Sequence, residues 1–136
     1  MSKYGTPEIY SRFLRENNLK DSNSRVHWKA FFPDTNEINQ RLEVSCYETQ
    51  CIDISEVKEI ASKNNVRPNK KFPHGHCSIN ESDFPADEID IEKNYIPERH
   101  IDIIGWEGKP NFEDKKFVAT ILAEISSENI IIYDEN

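Results

Sequence analysis

The sequence predicts a single α+β domain over residues 1–136, with a mixed or antiparallel sheet of about five to six strands and about three helices. A length of 136 residues suits one domain and is too short for two well-formed cores. Short segments that alternate apolar and polar residues are interrupted by segments with helical spacing. Because the chain has only four glycines, it has no Gly-rich phosphate-binding loop of the kind found in doubly wound sheets.

Capping residues followed by apolar stripes predict the three helices. Thr6-Pro7-Glu8 predicts a first helix that ends near Asn17, within a looser N-terminal helix and loop over residues 1–24. Asp53-Ile54-Ser55-Glu56 resembles a capping box and predicts a second helix that runs to about Lys63. Asn111 followed by Asp114 predicts the cap of the last helix.

The strands are predicted from alternating or β-branched segments bounded by polar residues. These segments are 26–32, 42–46, 72–79, 89–91, 101–104 and 129–133. The fifth segment, 101–104, lies within the block from Arg99 to Trp106. In this block, polar residues precede an apolar strand that ends at Gly105. Trp106 is therefore expected to be a core anchor rather than a ligand platform.

The charge distribution predicts a protein partner with a basic surface. The formal net charge is −8, which disfavours direct nucleic-acid binding. Residues 81–114 hold eleven acidic side chains and three basic ones, and so contribute −8. The alternative is a solvated acidic face that only aids solubility. The side chains expected to bind the partner are Asp83, Asp87, Glu88, Asp90 and Glu92.

The location and the cofactor content are predicted from what the sequence lacks. No apolar run approaches the length of a membrane span, and the N-terminus lacks a signal-peptide core, so we expect a cytoplasmic protein without a membrane partner. Three cysteines, Cys46, Cys51 and Cys77, are an odd number and are typical of reduced thiols. No cofactor is expected, apart from a divalent metal at the site considered next.

The segment His74-Gly75-His76-Cys77 is the best candidate for a metal site. A His-x-His pair on a strand points both imidazoles to one face, and imidazoles and thiolates are ligands that zinc prefers. His100, Cys46 or Cys51 would have to supply a fourth ligand. The alternative is that these histidines are hydrogen-bonded or exposed and bind no metal.

His100 is the best candidate for a catalytic residue. It lies two residues before Asp102, so a strand would place both side chains on one face, and His100 would then be a general base oriented by an acid. A nucleophile cannot be identified from spacing alone. The alternative is a histidine that hydrogen-bonds a neighbouring loop.

Three blocks resemble a family of small uncharacterised bacterial proteins found near mobile-element and defence genes. They are Ala30-Phe31-Phe32-Pro33-Asp34, Ser45-Cys46-Tyr47 and the block from Arg99 to Trp106, and they include an F-x-P and an R-H-x-x-I-x-G-W pattern. The family usually has an arginine at the position of Glu48 and an aspartate at that of Ser78. The resemblance implies an intracellular bacterial accessory protein and names no reaction.

These observations predict a non-enzymatic interaction or accessory subunit of a bacterial antiviral defence or mobile-element system. Its acidic surface, residues 81–114, would contact a basic partner. One alternative is a small nucleotide- or nucleic-acid-directed hydrolase or transferase that uses His100 with His74 and His76. Another is an acidic phage-type inhibitor that mimics nucleic acid. The spatial arrangement of the histidines and carboxylates distinguishes these hypotheses.

Overall fold

A computed structural model describes residues 2–64 and 72–133. Within these residues the chain forms two α-helices, α1 (Ile54–Asn64) and α2 (Phe112–Ser126). It also forms nine strands: β1 (Ile9–Leu14), β2 (Leu19–Lys20), β3 (Arg25–Val26), β4 (Asp34–Thr35), β5 (Leu42–Glu48), β6 (Gly75–Asn80), β7 (Asp90–Glu92), β8 (His100–Ile104) and β9 (Ile130–Ile132). Four short 3-10 turns lie between these elements.

One seven-stranded sheet organises the fold. Its strand order is β7-β8-β5-β1-β6-β9, and β4 pairs with the beginning of β5. Every strand pair is antiparallel, while β2 and β3 form a separate hairpin. The α+β class and the antiparallel sheet are therefore confirmed, with two α-helices rather than three.

The two faces of the sheet differ in chemistry. Because directly paired residues point to the same side, the register places one set of apolar side chains on what we call the core face. This set includes Leu14, Val44, Cys46, Cys77, Ile79, Ile101 and Ile103, all buried. Helix α2 packs here through Val118 and Leu122. The opposite side, which we call the second face, carries mainly hydroxyl, imidazole and carboxyl groups.

Trp106 is the core anchor that the sequence predicted. Its indole ring is 0% exposed, and its Nε1 donates a hydrogen bond to the carbonyl oxygen of Ile103 at 2.9 Å. Gly105 precedes it with φ 99°, a left-handed conformation that favours glycine. The chain therefore turns sharply at the end of β8, and this turn directs the indole ring of Trp106 into the core.

The predicted N-terminal helix is wrong. Residues Ile9–Leu14 form β1, which lies between β5 and β6 in the middle of the sheet. All six residues pair with β6, from Ile9 opposite Asn80 to Leu14 opposite Gly75. Pairing with segments distant in sequence and burial of Tyr10 and Leu14 outweigh the local start signal at Thr6-Pro7.

The strand predicted over residues 26–32 is mostly wrong as well. Only Arg25–Val26 is strand, and Trp28–Phe31 forms a 3-10 turn. The turn is capped by His27, whose Nδ1 accepts a hydrogen bond from the Lys29 amide at 3.1 Å. A side chain that bonds its own backbone competes with strand pairing, which periodicity does not reveal.

The remaining predicted elements are confirmed with small shifts of their boundaries. The predicted segments 42–46, 72–79, 89–91, 101–104 and 129–133 correspond to β5, β6, β7, β8 and β9. Asn111 caps α2, since its Oδ1 accepts a hydrogen bond from the Asp114 amide at 2.9 Å. None of the helices in the described part of the chain has the length and apolar character needed to cross a membrane.

Candidate functional site

His100 lies on the second face, at the start of β8, between two hydrogen-bonding partners. Its Nδ1 is 2.8 Å from Oδ1 of Asn94, and its Nε2 is 3.2 Å from Oγ of Ser45. The ring of Tyr47 packs edge-on against the imidazole, with centroids 5.3 Å apart. His100 is nearly buried, whereas Ser45 is exposed. A solvent-accessible hydroxyl is therefore in contact with a nearly buried imidazole.

The hydrogen-bond network fixes the tautomer of His100. The Asn94 amide donates through Nδ2 to Oδ2 of Asp102 at 2.7 Å, so its Oδ1 is the acceptor that faces the imidazole. His100 Nδ1 must then carry the proton and donate it to Asn94. Nε2 is left as the lone-pair nitrogen, directed at the Ser45 hydroxyl.

Asp102 shares the second face with His100 and is 2% exposed. Its Oδ1 lies 3.5 Å from His100 Nε2 and has no hydrogen-bond partner among residues 2–64 and 72–133. Burial lowers the pKa of His100 below its usual 6.5, and the Asp102 charge opposes part of this shift. Burial likewise raises the pKa of the Asp102 carboxyl. His100 is consequently neutral at neutral pH and able to accept a proton.

Arg41 organises the carboxylates around this centre. Its guanidinium donates to both oxygens of Glu92 at 3.0 Å and to Glu43 at 2.8 Å, and lies 3.5 Å from Asp102. These hydrogen bonds, first to Glu92 and then to Glu43, raise the pKa of Arg41. Glu92, one of the expected partner-binding residues, is therefore held in an ion pair.

The loop that carries Asn94 is anchored by a buried carboxylate. Glu48, at the end of β5, is 0% exposed and accepts hydrogen bonds from Gln50 Nε2 at 2.6 Å, from the Tyr95 hydroxyl at 2.5 Å and from the Ser2 hydroxyl. Burial and this contact raise the pKa of Tyr95 to about 12. Because Tyr95 directly follows Asn94, the Glu48 network fixes the position of the amide that orients His100.

Ser45, Asn94 and Arg41 are the members of this site that the sequence analysis did not identify. Ser45 alternates with apolar neighbours in a predicted strand, and this alternation predicts that its side chain points away from the core. The alternation does not predict the distance between Ser45 and His100. The β7–β8 hairpin brings Asn94 back beside His100. Asp102 was expected as the orienting acid; it lies beside Nε2 instead, and Asn94 orients the ring through Nδ1.

The structure separates His76 from Cys77 in the expected metal site. His76 and Cys77 are neighbours in β6, so their side chains point to opposite faces. The Cys77 thiol is 0% exposed in the core, where burial raises its pKa to about 12. His76 Nδ1 is instead 2.6 Å from the Tyr133 hydroxyl, and His74 lies just before the strand. Within residues 2–64 and 72–133 no three His, Cys, Asp or Glu side chains are arranged to hold a metal ion.

The histidines do not converge on one pocket. His76 on β6 and His100 on β8 lie on the same face, but β1 and β5 run between them. Three strand spacings correspond to about 14 Å. His27 is elsewhere, at the cap of the turn that begins with Trp28. A single site that combines His100 with His74 and His76 is therefore not formed.

A separate pocket of about 320 Å³ lies between α1 and the second face. His76, Ser78 and Asn80 of β6 contribute polar groups, and Val57 of α1 contributes to an apolar wall. Burial lowers the pKa of His76 to about 4, so its imidazole is neutral there. The Ser78 hydroxyl bonds to Ser11 at 2.8 Å. This pocket is distinct from the His100 centre.

The expected partner-binding carboxylates divide into two groups. Asp83, Asp87 and Asp90 are exposed, and in the part of the chain that the structure describes none of them forms an ion pair. Glu88 and Glu92 are half-buried and are paired with Lys109, at 3.1 Å, and with Arg41. Three of the five side chains are therefore free to meet a partner.

Comparisons of the chain with protein-family models, with curated proteins and with solved structures find no match. The most specific block of the resemblance, from Arg99 to Trp106, forms β8 and the start of the turn that follows it. Glu48 and Ser78, where the family usually has arginine and aspartate, are hydrogen-bonded within the fold.

Proposed function

We propose that the protein is an interaction subunit of a bacterial defence or mobile-element system, and that its acidic surface binds a basic protein partner. One observation supports this proposal above the others. Asp83, Asp87 and Asp90 are exposed within eight residues of each other and form no ion pair with the residues described here. Unpaired carboxylates of one sign attract a basic surface, and the binding itself requires no catalytic group.

The segment that carries these carboxylates is held firmly against the core. Phe84 packs edge-on against Tyr10, with ring centroids 5.7 Å apart, and Ile89 is 4% exposed. The Glu8 amide also donates to Glu81 at 2.9 Å. A surface that is already ordered loses little conformational entropy on binding, which favours specific recognition.

Strand β7, which contains Asp90, adds a second means of recognition. It pairs with β8 on one side and lies at the end of the strand order. The other edge of such a strand presents backbone donors and acceptors to which an extended segment of a partner can add. A basic strand would satisfy both the backbone groups of β7 and the neighbouring carboxylates.

The experiment that tests this proposal begins with affinity capture from the native host at low salt, followed by mass spectrometry and by reconstitution with the purified partner. The test variant combines Asp83→Asn, Asp87→Asn and Asp90→Asn. The matched control combines Glu59→Gln, Glu124→Gln and Glu128→Gln, which removes the same charge from exposed side chains elsewhere. We expect weaker partner binding in the first variant only.

Equal retention of the partner by both variants would show that the acidic surface is not the interface. If the captured partner is a nucleic-acid-binding enzyme that the protein inhibits, the same surface acts as a nucleic-acid mimic. That outcome corresponds to the alternative of a phage-type inhibitor. A partner that binds only through residues outside 81–114 would contradict both.

A further inference from the structure

We propose that Ser45 is a nucleophile, activated by His100, which accepts an acyl group from a small neutral or cationic carboxylic ester. The site lies on the second face of the sheet, to which Asp90 also points, but no hydrogen bond or ion pair among the described residues joins Asp83, Asp87 or Asp90 to Ser45 or His100. It therefore goes beyond the binding function proposed above and can be tested independently of it.

The nucleophile and the base are in direct contact. Ser45 Oγ lies 3.2 Å from Nε2 of His100, within reach for proton transfer. Ser45 is exposed, so an ester in solution can approach the hydroxyl. The nearly buried imidazole lies beneath it, where water competes poorly for its lone pair.

The base is held in the orientation that proton transfer from Ser45 needs. Asn94 accepts the proton of His100 Nδ1 at 2.8 Å, which keeps the lone pair on Nε2. The Asn94 amide is itself fixed by its bond to Asp102 at 2.7 Å. A nucleophile, a base and a group that orients the base are the three components that nucleophilic serine sites share.

Asp102 places a carboxyl oxygen beside the base. This carboxyl is 2% exposed, and its Oδ1 has no hydrogen bond to any residue that the structure describes, although it lies 3.5 Å from Nε2 of His100. Once His100 has taken the Ser45 proton, Nε2 gains an N–H group and a positive charge. Asp102 then has a donor for its free oxygen and stabilises the imidazolium electrostatically.

The charges around the site select the substrate class. Glu43, Glu92 and Asp102 surround the guanidinium of Arg41, and the guanidinium of Arg12 lies against the Ser45 carbonyl, so three carboxyl groups and two cations flank the site. A phosphate ester would be repelled by this excess negative charge. The backbone of Ser45 is also fixed, because Arg12 donates from Nη1 to the Ser45 carbonyl at 2.8 Å and from Nε to Ala30.

The reaction is an acyl transfer in two steps. Ser45 Oγ forms a bond to the carbonyl carbon of the ester while its proton passes to His100 Nε2. The bond to the leaving alcohol then breaks, and the alcohol departs with the proton from Nε2. Water hydrolyses the acyl-serine by the same route, which releases a carboxylic acid and restores the Ser45 hydroxyl.

The direct test treats the full chain with p-nitrophenyl acetate and locates the acetyl group by peptide mass spectrometry. We expect acetyl on Ser45, a loss of p-nitrophenol release in Ser45→Ala, and no change in Ser62→Ala, an exposed serine on α1. His100→Gln should slow Ser45 acetylation by about a hundredfold. Acetylation confined to lysines or tyrosines, at equal rates in the wild type and Ser45→Ala, would overturn the proposal.

A second test does not require ester turnover. Ser45→Cys is made in a Cys51→Ser background, where the remaining thiols, Cys46 and Cys77, are buried. The rate of alkylation by iodoacetamide is compared with and without His100→Gln, after circular dichroism has shown that both variants are folded. We expect about a tenfold faster reaction when His100 is present. Equal rates in two folded variants would contradict activation by His100.

The two proposals can fail separately. The variants of Asp83, Asp87 and Asp90 should leave Ser45 acetylation unchanged, and Ser45→Ala should leave partner binding unchanged. Loss of acetylation in the aspartate variants would place the reactive centre elsewhere and overturn the assignment to Ser45 and His100.

Discussion

The Nδ1 of His100 lies 2.8 Å from the side-chain oxygen of Asn94, a residue six positions earlier in the chain. This contact crosses the turn of the β7–β8 hairpin and decides which imidazole nitrogen carries the proton. It also connects the turn to Asp102, which accepts a hydrogen bond from the same amide. The chemistry of the second face therefore depends on the hairpin geometry as well as on the identity of His100.

The reactivity of Ser45 should depend on pH in the direction set by His100. Burial keeps the pKa of His100 below 6.5, so the lone pair on Nε2 is present at neutral pH. Acetylation of Ser45 should stay constant from pH 8 to 7 and decline with a midpoint below 6.5. The rate of p-nitrophenol release, corrected with Ser45→Ala, gives this profile. A midpoint above 7 would contradict a neutral, buried base.

Removal of the Asp102 charge should lower the pKa of His100 further. The Asp102 carboxylate is the charge that most strongly opposes the effect of burial on His100, with Glu43 adding to it. In Asp102→Asn the imidazole titration followed by NMR should shift to lower pH. Glu59→Gln, on the exposed side of α1, is the control and should leave that titration unchanged. An upward shift in Asp102→Asn would contradict the electrostatic account of this centre.

His76 should make the protein sensitive to acid. Its pKa is about 4 in the fold and 6.5 as the ordinary value, so the unfolded chain binds the proton more readily between these pH values. The free energy of unfolding should therefore decrease as pH falls from 6.5 to 4, by up to about 3 kcal/mol.

Urea denaturation at several pH values measures this loss. In His76→Gln, whose amide retains a polar contact for Tyr133, the loss between these pH values should be smaller than in the wild type. Equal slopes of stability against pH in the two proteins would show that His76 is not the group responsible.

Trp106→Ala should be the most destabilising of the tryptophan substitutions. The ring is 0% exposed and its removal leaves a large cavity, so we expect a loss of about 4 kcal/mol in the free energy of unfolding. Trp28 is half-buried in a surface cluster with Phe32 and Phe112, and Trp28→Ala should cost about half as much or less. Denaturant titration compares the two. Equal losses would show that the core is not organised around Trp106.

Local signals account for the parts of the fold that were predicted correctly. Helix α2 has a capping asparagine and an apolar stripe, and β5 alternates through Leu42, Val44 and Cys46, so both can be read within a short window. The segment Ile9–Leu14, by contrast, forms a structure that its local signals do not predict. Its local start signal favours a helix, and only its pairing with β5 and β6 makes it a strand.

The candidate site was predicted only in part, for the same reason. His100 and Asp102 are two residues apart on one strand, which a period of two reveals. Ser45 reaches them because β5 pairs with β8 in the register that sets Ser45 opposite Asp102. A register is decided by the whole sheet, and a shift of one residue would turn Ser45 to the core face. The sequence pattern does not contain this information.

Calorimetric titration with the purified partner tests most directly whether the acidic surface binds that partner. At low salt, the variant with Asp83→Asn, Asp87→Asn and Asp90→Asn should bind about tenfold more weakly, with a smaller dependence on salt and an unchanged melting temperature. The variant with Glu59→Gln, Glu124→Gln and Glu128→Gln should bind like the wild type. Wild-type affinity in the aspartate variant, with the same dependence on salt, would contradict the proposed interface.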